Sequence, residues 1–523
     1  MRALAVRHEL TSEAPFRLGE ETLTSSRLVQ LASKPKPALL ATPAARERLL
    51  QYRKSVDDVL ASQARIYGIN TGFGFLAHVA IEPDKLAQLQ VNLVRSHACG
   101  VGDPVDDLVV RAMLILRAHT FLIGHSGVSL TTMEQILRFL EHDLLPVIPC
   151  QGSVGASGDL APLAHLALGL MGEGEIRLHG HTLPAAEALQ RVGLQPLKLA
   201  AKEGLSLING TQFMTAIAAF AVAEARSIAL SADIAAAMSL EAIRGTLTAF
   251  DPRIHAVRPH PGQIAVAAHL LGLFPIDDPI MASHADCAKV QDPYSFRCVP
   301  QVHGASRDAI AYAERAVETE LNSVTDNPLV FPGGDVLSGG NFHGQPIAMA
   351  MDFLAIAVAE LGSIAERRIE KITNPHQSGL PAFATRDSGL NSGFMIPHVV
   401  AAALVSENKI LCHPASVDSI PTSADQEDHV SMGPIAARKA RQILGNVTNI
   451  LAIEFLAATQ GLDLLQPLQP SRFIAGILSE IRAMVPAMHT DRSLHKEIAA
   501  VANWLRKSGP IRCVAALQNG LKS

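Results

Sequence analysis

Three long stretches in the second half of the chain combine many alanines with charged residues at regular intervals. They cover residues 213–247, 347–372 and 433–460. Alanine has the strongest preference for helix, so each stretch predicts one α-helix, the second with Pro346 in its first turn and Asn374-Pro375 after its end. Helices this long exceed the usual globular mean and favour packing along one another. The sequence therefore predicts a mainly α fold with a long central helical bundle.

The domain organisation follows from where Gly and Pro occur. They punctuate the first two hundred residues or so, which predicts an N-terminal portion dominated by turns and loops. We divide the chain into this N-terminal portion (1–203), the central long-helix bundle (204–480) and a C-terminal helical segment (481–523), which act as one functional unit. Because loops on a rigid scaffold usually carry sites, the polar segments that interrupt the bundle draw interest, namely 251–263, 286–305, 333–345 and 374–397.

Composition excludes several classes of protein. Of the 523 residues, 48% are hydrophobic and 18% charged, which argues against disorder. A net charge of −5 gives no reason to expect a nucleic acid or an anionic membrane as partner. The apolar run 213–240 is broken by Glu224, Arg226 and Asp233, so it predicts a buried bundle helix rather than a membrane span.

Cysteine usage and the N-terminus predict a cytoplasmic protein. The first ten residues lack the long apolar stretch of a signal peptide. No CxxC pair, HExxH or nucleotide-binding GxxxxGK[ST] motif occurs, and no metal site is expected. In a chain of this size, that pattern predicts reduced thiols at Cys99, Cys150, Cys287, Cys298, Cys412 and Cys513.

The tripeptide Ala156-Ser157-Gly158 can form an electrophile from its own backbone. If the Gly158 nitrogen attacks the Ala156 carbonyl carbon, a five-membered ring closes around Ser157, and loss of two waters leaves a methylidene-imidazolone. Gly158 has no Cβ, so its nitrogen can approach closely. Ser157 supplies the hydroxyl that leaves, and Ala156 is small enough not to obstruct closure. Outside its context, however, such a tripeptide would more often be a plain turn.

A serine hydrolase that uses Ser157 as its nucleophile is an alternative from another class of enzyme. It requires a histidine and an acid to activate the serine. The stretch GASGD at 155–159 departs from the GxSxG nucleophile elbow, because Asp159 stands where the last glycine belongs. A purely structural helical bundle is the second alternative, and it leaves the polar segments unexplained.

Eight motifs along nearly the whole chain give it a resemblance to the histidine/phenylalanine/tyrosine ammonia-lyase family. The resemblance implies that Ala156-Ser157-Gly158 forms the 4-methylidene-imidazol-5-one cofactor without an external cofactor, and that the substrate amine adds to the Ser157-derived methylene. In chain order the motifs are YGINTGFG at 67–74, LQVNLVRSHACGVG at 89–102, GSVGASGDLAPLAHLALG at 152–169, EGLSLINGTQ at 203–212, VQDPYSFRC at 290–298, SGGNFHGQP at 338–346, LNSGFM at 390–395 and QEDHVSM at 426–432.

The resemblance also implies roles for individual residues. Tyr67 matches the base that removes a proton from the substrate β-carbon, and because an unperturbed tyrosine titrates at about 10, its site should favour the phenolate. Arg297 matches the residue that binds the substrate carboxylate, for which a planar guanidinium is suited. Without the motifs, Tyr67 would be interpreted as a half-buried packing residue and Arg297 as part of a structural ion pair. Other matches are Asn209 on the carboxylate and ring carbonyl, Tyr294 in proton handling, and Gln291 and Phe342 in the pocket.

Two positions indicate which amino acid is the substrate. Ser96-His97 resembles the histidine-selective members, and His97 can hydrogen-bond an imidazole ring. Glu427 matches a glutamate of the same members and would stabilise a protonated imidazole, although it and His429 could instead pair within the bundle. Gln345 departs from the pattern, since many histidine-type members have Glu there. The sequence thus predicts elimination of ammonia from L-histidine to give trans-urocanate, with a tyrosine or phenylalanine lyase or an aminomutase as the alternative.

The resemblance implies a homotetramer whose long helices share one bundle and whose active sites each draw on several subunits. The partners expected from the sequence are therefore a small amino-acid substrate and further copies of the same chain.

Overall fold

The computed structural model describes residues 14–62, 66–72, 78–275, 278–286 and 289–519. The N-terminal ten residues, Cys287 and the end of the YGINTGFG motif lie outside these ranges. The described part of the chain is mainly α-helical, which confirms the predicted fold class.

The N-terminal portion packs short helices beside small β-sheets. β1 pairs with β2 in parallel, β3 pairs with β5 antiparallel, and β4, β6 and β7 form an antiparallel sheet, where the strands are β1 (Phe16–Arg17), β2 (Leu39–Leu40), β3 (Val101–Pro104), β4 (Leu145–Pro146), β5 (Pro149–Gln151), β6 (Glu175–Leu178) and β7 (His181–Pro184). The helices are α1 (Ser25–Ala32), α2 (Pro43–Ala61), α3 (Leu86–His97), α4 (Asp107–Ile123), α5 (Leu130–His142), α6 (Leu160–Leu170), α7 (Ala185–Arg191) and α8 (Glu203–Ile208).

This portion is more helical than its Gly and Pro content predicted. The reason is that these residues stand at helix ends, where they end or begin helices without breaking them. Pro43 lies in the first turn of α2, whose preceding Thr42 accepts a hydrogen bond from Ala45 N. Gly124, with φ +110°, ends α4. The turns that we predicted are present, but helices fill the space between them.

The rest of the chain is the helical bundle, with α15 packed along α18 and α14, and α18 packed along α9. Its helices are α9 (Gln212–Ala242), α10 (Pro252–Ala256), α11 (Pro261–Leu271), α12 (Pro279–Ala282), α13 (Tyr294–Arg297), α14 (Val299–Leu321), α15 (Gln345–Thr373), α16 (Pro375–Ser378), α17 (Met395–Leu411), α18 (Gly433–Leu464), α19 (Arg472–Met484), α20 (His495–Arg506) and α21 (Gly509–Asn519). A two-stranded hairpin, β8 (Leu329–Val330) and β9 (Val336–Leu337), precedes α15.

The three predicted long helices are confirmed as α9, α15 and α18. α9 ends five residues before the predicted 247, because Arg244 adopts a left-handed φ of +51° and Gly245 N bonds back to Leu240 O. Part of the predicted polar segment 286–305 is wrong, since α14 begins at Val299. The sequence of α14 is only moderately hydrophobic because this helix buries one face and exposes the other.

Two helices, α9 and α15, are long and apolar enough to cross a membrane by length and composition. In each, 67% of the most apolar window is buried inside the protein. Both therefore serve as core helices of the bundle, and the apolar core continues from Phe16 to Val514 across all three predicted portions.

Fully buried charges join the bundle helices at its centre. Arg368 of α15 donates to both carboxylate oxygens of Glu454 on α18, at 2.5 and 3.0 Å, and both side chains have no exposed surface. Ser239 of α9 donates to the same carboxylate at 2.7 Å. Since a buried charge is tolerated only when it is paired and hydrogen-bonded, this group fixes how the three helices pack.

Replacing Arg368 with Met is expected to lower the free energy of unfolding by about 3 to 5 kcal/mol, because it leaves the Glu454 carboxylate buried and without its cation. Urea unfolding followed by circular dichroism measures the change. Arg138→Met is the matched control, since the Arg138–Glu141 pair is exposed and should contribute less than about 1 kcal/mol. Equal unfolding midpoints for the two variants would contradict the prediction.

Candidate functional site

A cavity of about 760 Å³ lies where the N-terminal portion meets the bundle. α3, α8, the turn before α6 and the loops that precede α15 and α18 all contribute to its wall. Its lining residues are Tyr67, His78, Leu93, His97, Ala156, Ser157, Leu160, Leu205, Ile208, Asn209, Asn327, Ser338, Gly339, Phe342, His343, Ser423, Gln426, Glu427, Asp428 and His429.

The N-termini of four helices meet behind the Ala156-Ser157-Gly158 turn. Asp159, directly before α6, accepts hydrogen bonds from Phe213 N and Met214 N in the first turn of α9, at 2.9 and 3.0 Å. Gly344, directly before α15, packs so closely on Met214 that a Cβ there would lie 2.6 Å from its sulfur. α18 joins them, because a Cβ on Gly433 would lie 2.5 Å from the same sulfur. Helix N-termini carry partial positive charge, so this end of the cavity favours negative charge.

Gly158 lies against the backbone of Gly210. Asp159 N donates to Gly210 O at 2.7 Å, and Gly158 and Gly210 form an isolated parallel bridge. Gly158 has a φ of +74°, and a Cβ on it would lie 2.1 Å from Gly210 O. Only glycine fits this position, as the ring-closure chemistry requires.

The other end of the turn is held by the segment before α18. Ser431, which is fully buried, donates its hydroxyl to Gly155 O at 3.0 Å and accepts from Gly433 N at 3.2 Å. Met432 N donates to Val154 O at 2.8 Å. The turn is thus fixed on both sides of Ala156-Ser157-Gly158, by α9 and by α18.

The Ser157 hydroxyl faces Glu427. Ser157 Oγ donates to Glu427 Oε1 at 3.0 Å, and Thr422 Oγ1 donates to Oε2 at 2.8 Å. The backbones of Thr422 and Glu427 also exchange both hydrogen bonds. These contacts hold the carboxylate at the cavity. They do not support the alternative that Glu427 simply pairs within the bundle.

His97 is held as a neutral imidazole with its hydrogen on Nδ1. Nδ1 lies 2.8 Å from Leu93 O and 3.0 Å from Ser96 Oγ. Because a carbonyl oxygen only accepts, Nδ1 must donate, and Nε2 is the acceptor. Burial lowers the pKa of His97 below its ordinary value, partly offset by the Leu93 hydrogen bond and by the charge of Glu427. His97 therefore offers a lone pair to a ligand N–H or O–H.

Three further predicted residues line the same cavity. Asn209 is buried, and its Oδ1 has no hydrogen-bond partner among the described residues. Tyr67 is half-buried and precedes Gly68, which packs on Leu205. Phe342 is half-buried in the loop before α15. The structure thus brings together Tyr67, His97, Ala156, Ser157, Asn209, Phe342 and Glu427.

Gln291, Tyr294 and Arg297 do not line this cavity. They lie on and before α13, where Gln291 is exposed and Tyr294 is 70% exposed. The Arg297 guanidinium carbon lies 4.4 Å from the centre of the Tyr294 ring, and the buried Arg297 Nε has no hydrogen-bond partner among the described residues. These three side chains form a separate exposed group on the single chain.

The sequence reasoning missed several lining residues. His343 Nε2 donates to His429 O at 3.1 Å, because Gln345 N already donates to His343 Nδ1. The two imidazole rings stack at 5.8 Å. Their motifs, SGGNFHGQP and QEDHVSM, were noticed, but neither contains a signal that the two loops touch. Asn327, which bonds to Ser338 of the SGGNFHGQP motif, lies outside every motif of the sequence.

The LNSGFM motif lies away from this cavity. The Asp491 carboxylate accepts from Ser392 N and Gly393 N at 2.6 and 2.9 Å, which fixes the turn before α17. Within the described ranges no group of three or more His, Cys, Asp or Glu side chains could hold a metal ion. Cys99, Cys150, Cys298, Cys412 and Cys513 are free thiols.

The helical bundle, with Tyr67 and the Ala156-Ser157-Gly158 turn on one cavity, is that of a carbon–nitrogen lyase, as comparison with known proteins shows. The aromatic amino acid lyase family matches residues 23–483, and the chain belongs to this family. It is 52% identical over 502 residues to a histidine ammonia-lyase of Sorangium cellulosum, covering 94% of this chain and 97% of that protein.

Solved structures give the same result. The crystal structure of histidine ammonia-lyase from Trypanosoma cruzi is 46% identical with a TM-score of 0.89, and covers 96% of this chain and 95% of that one. The tyrosine aminomutase from Streptomyces globisporus is 37% identical with a TM-score of 0.91, and covers 96% of this chain and 99% of that one. The fold is therefore common to members that differ in substrate and in reaction.

Proposed function

We propose that the chain eliminates ammonia from L-histidine to give trans-urocanate. The observation that carries the proposal is that Ser157, in a turn fixed from both sides, shares one cavity with His97, Glu427 and Tyr67. The likeness to curated histidine ammonia-lyases over nearly the whole chain supports the same reaction.

The residues present suit a 4-methylidene-imidazol-5-one formed from Ala156-Ser157-Gly158. Ala156 is buried and small, Gly158 has the backbone that only glycine adopts beside Gly210, and Ser157 Oγ is held by Glu427. Once formed, this group supplies an electrophile that makes the substrate nitrogen a better leaving group. The partial positive charge of the neighbouring helix N-termini stabilises negative charge that develops on this group during the reaction.

Several residues of the cavity wall orient the substrate. His97 Nε2 can accept the N–H of an imidazole ring, and the Glu427 carboxylate favours that ring in its protonated form. Protonation acidifies the adjacent β-carbon, from which Tyr67 removes the proton. Asn209 lies in the same wall, and the NH2 group of its amide is suited to donate to the substrate carboxylate.

The carboxylate-binding Arg297, together with Gln291 and Tyr294, would reach the cavity from another subunit. Support comes from their exposure on the single chain: Tyr294 is 70% and the neighbouring Val290 94% exposed, which is unusual for large apolar side chains. The planar guanidinium of Arg297 is suited to a substrate carboxylate. We therefore propose a cytoplasmic homotetramer with composite sites, and no nucleic-acid or membrane partner.

A tyrosine or phenylalanine lyase or an aminomutase is the second candidate. The structural likeness to a tyrosine aminomutase favours it, and a phenol O–H could also donate to His97 Nε2. The Glu427 carboxylate argues against this second candidate. It can pair with the protonated imidazole of L-histidine, but a neutral aromatic ring in the same place would offer it no charged partner.

The peptide that contains Ala156-Ser157-Gly158 is expected to weigh less than its sequence mass by two waters. Ring closure and loss of the Ser157 hydroxyl each release one. Peptide mass spectrometry of the purified protein measures this, with Ser157→Ala as the matched control, which has no hydroxyl to lose and should not show the two-water loss. An unshifted wild-type mass would eliminate the cofactor and the proposed reaction with it.

Tyr67→Phe is expected to keep the mass loss but to lower kcat by about 10² to 10⁴, the usual contribution of a general base. Urocanate formation followed by absorbance gives kcat. Tyr52→Phe is the control, since Tyr52 lies on α2 and bonds to His125 instead of lining the cavity. Near-normal turnover of the Tyr67 variant would remove this residue from the role of base.

L-Histidine is expected to give urocanate readily while L-tyrosine gives little coumarate, and L-phenylalanine should react roughly 10⁴-fold more slowly because it leaves polar groups unpaired. His97→Phe should lower kcat/KM for L-histidine and raise the relative rate with L-phenylalanine. Cys99→Ser, an exposed position two residues further on, should keep the wild-type ranking. Faster conversion of L-tyrosine by the wild type would favour the second candidate.

A further inference from the structure

Arg117 is a fully buried cation directly behind the Asn209–Gly210 peptide. It lies on α4, and its NH1 and NH2 each donate to Asn209 O at 3.1 Å. None of its surface is exposed. It does not line the cavity, and no motif of the sequence pointed to it.

Its surroundings are unusual for a buried arginine. Both hydrogen bonds that it donates among the described residues end on a neutral carbonyl, and its Nε has no partner there. Asp326 and Asp159 act on it only through their charges, and burial lowers the pKa of Arg117 to about 10, so the guanidinium stays charged at neutral pH. Burying a charge is costly unless it is paired, which means that Arg117 is not explained by stability alone.

Arg111 on the same helix shows the ordinary arrangement. It donates twice to the Asp143 carboxylate, at 2.7 and 3.0 Å, and once to Ala32 O at 2.6 Å. Arg111 and Arg117 are both buried and both start from α4. Of the two, only Arg117 donates its hydrogen bonds to the backbone next to the site.

Arg117 and Gly158 contact Gly210 through its two adjacent peptide groups. Arg117 donates to Asn209 O, in the Asn209–Gly210 peptide, and its NH2 lies 3.1 Å from the Cβ position of Gly210. Gly210 O, in the following peptide, accepts from Asp159 N at 2.7 Å and is the atom that a Cβ on Gly158 would strike. Gly210 therefore links the peptide that Arg117 holds to the one on which Gly158 packs.

We infer that Arg117 is a positioning residue that holds the Asn209–Gly210 peptide and thereby keeps the Gly210 carbonyl against Gly158, which promotes ring closure of Ala156-Ser157-Gly158 and fixes the Asn209 amide in the cavity wall. The inference rests on the proposed function. In the closure, the Gly158 nitrogen bonds to the Ala156 carbonyl carbon. The first water takes the Ala156 oxygen with the amide hydrogens of Gly158 and Ser157, and the second takes the Ser157 hydroxyl with its Cα hydrogen, so no oxidant is needed.

The planar fork of arginine is what reaches the carbonyl with two parallel donors. Lysine offers a single compact ammonium. A lysine at position 117 can keep the charge and one hydrogen bond, but it cannot donate two parallel hydrogen bonds to the Asn209 carbonyl. A lysine variant should therefore restore part of the function that a methionine variant loses.

The experiment compares Arg117→Met, Arg117→Lys and the control Arg111→Met in the full-length protein. Peptide mass spectrometry gives the fraction of subunits that have lost two waters, and circular dichroism gives the thermal midpoint. Arg117→Met should remain mostly unmodified, Arg117→Lys should be intermediate, and Arg111→Met should be fully modified even where its midpoint falls. Among modified subunits of Arg117→Lys, kcat should be about ten- to a hundredfold lower, with KM changed less.

Complete modification and normal kcat in Arg117→Met would overturn the inference. If Arg117→Met does not fold, Arg117→Lys decides: full modification and normal kcat there overturn it equally. Equal loss of modification in Arg111→Met would also overturn it, since a general loss of stability would then suffice. Failure of the proposed function is distinguishable, because the wild-type protein itself would then keep both waters.

Discussion

The contact between Gly158–Asp159 and the Gly210 backbone is the interaction on which the rest of the structure depends. The backbone hydrogen bond and the bridge join the turn before α6 to the start of α9, and the Asp159 carboxylate caps α9. This carboxylate is buried and burial raises its pKa to about 7, even though two backbone N–H groups hold its charged form. One short segment thus sets the position of a long helix and of the cavity wall together.

The bundle makes that contact rigid. The buried Arg368–Glu454 pair and Ser239 tie α9, α15 and α18 to one another, and the loops that carry Phe342 and Glu427 enter the first turns of α15 and α18. Because these helices begin at the site, a shift of any one of them would move a cavity residue. The scaffold and the site are therefore a single mechanical unit, in agreement with a core that runs through all three portions of the chain.

The sequence predicted what depends on local pattern. The helices α9, α15 and α18 followed from alanine content with regularly spaced charges, α15 also from its framing prolines, and the motifs pointed to seven residues that share one cavity. It could not predict contacts between distant segments, such as the stacking of His343 on His429 or the hydrogen bonds of Arg117 to Asn209. No regular sequence spacing relates the residues of either contact. Helix α14 was missed for a related reason: it buries one face against the bundle, and polarity on the other face resembled a loop.

The convergence of four helix N-termini has a consequence for how this scaffold changes over time. Within the described residues, the cavity lining contains no Lys or Arg, so the positive character at the Ala156-Ser157-Gly158 turn comes from main-chain dipoles and from the buried Arg117 behind the wall, not from lining side chains. Main-chain dipoles neither titrate nor disappear when a side chain is replaced. Lining residues are thus free to vary without removing the field, which offers a physical basis for one fold to serve proteins with different amino-acid substrates.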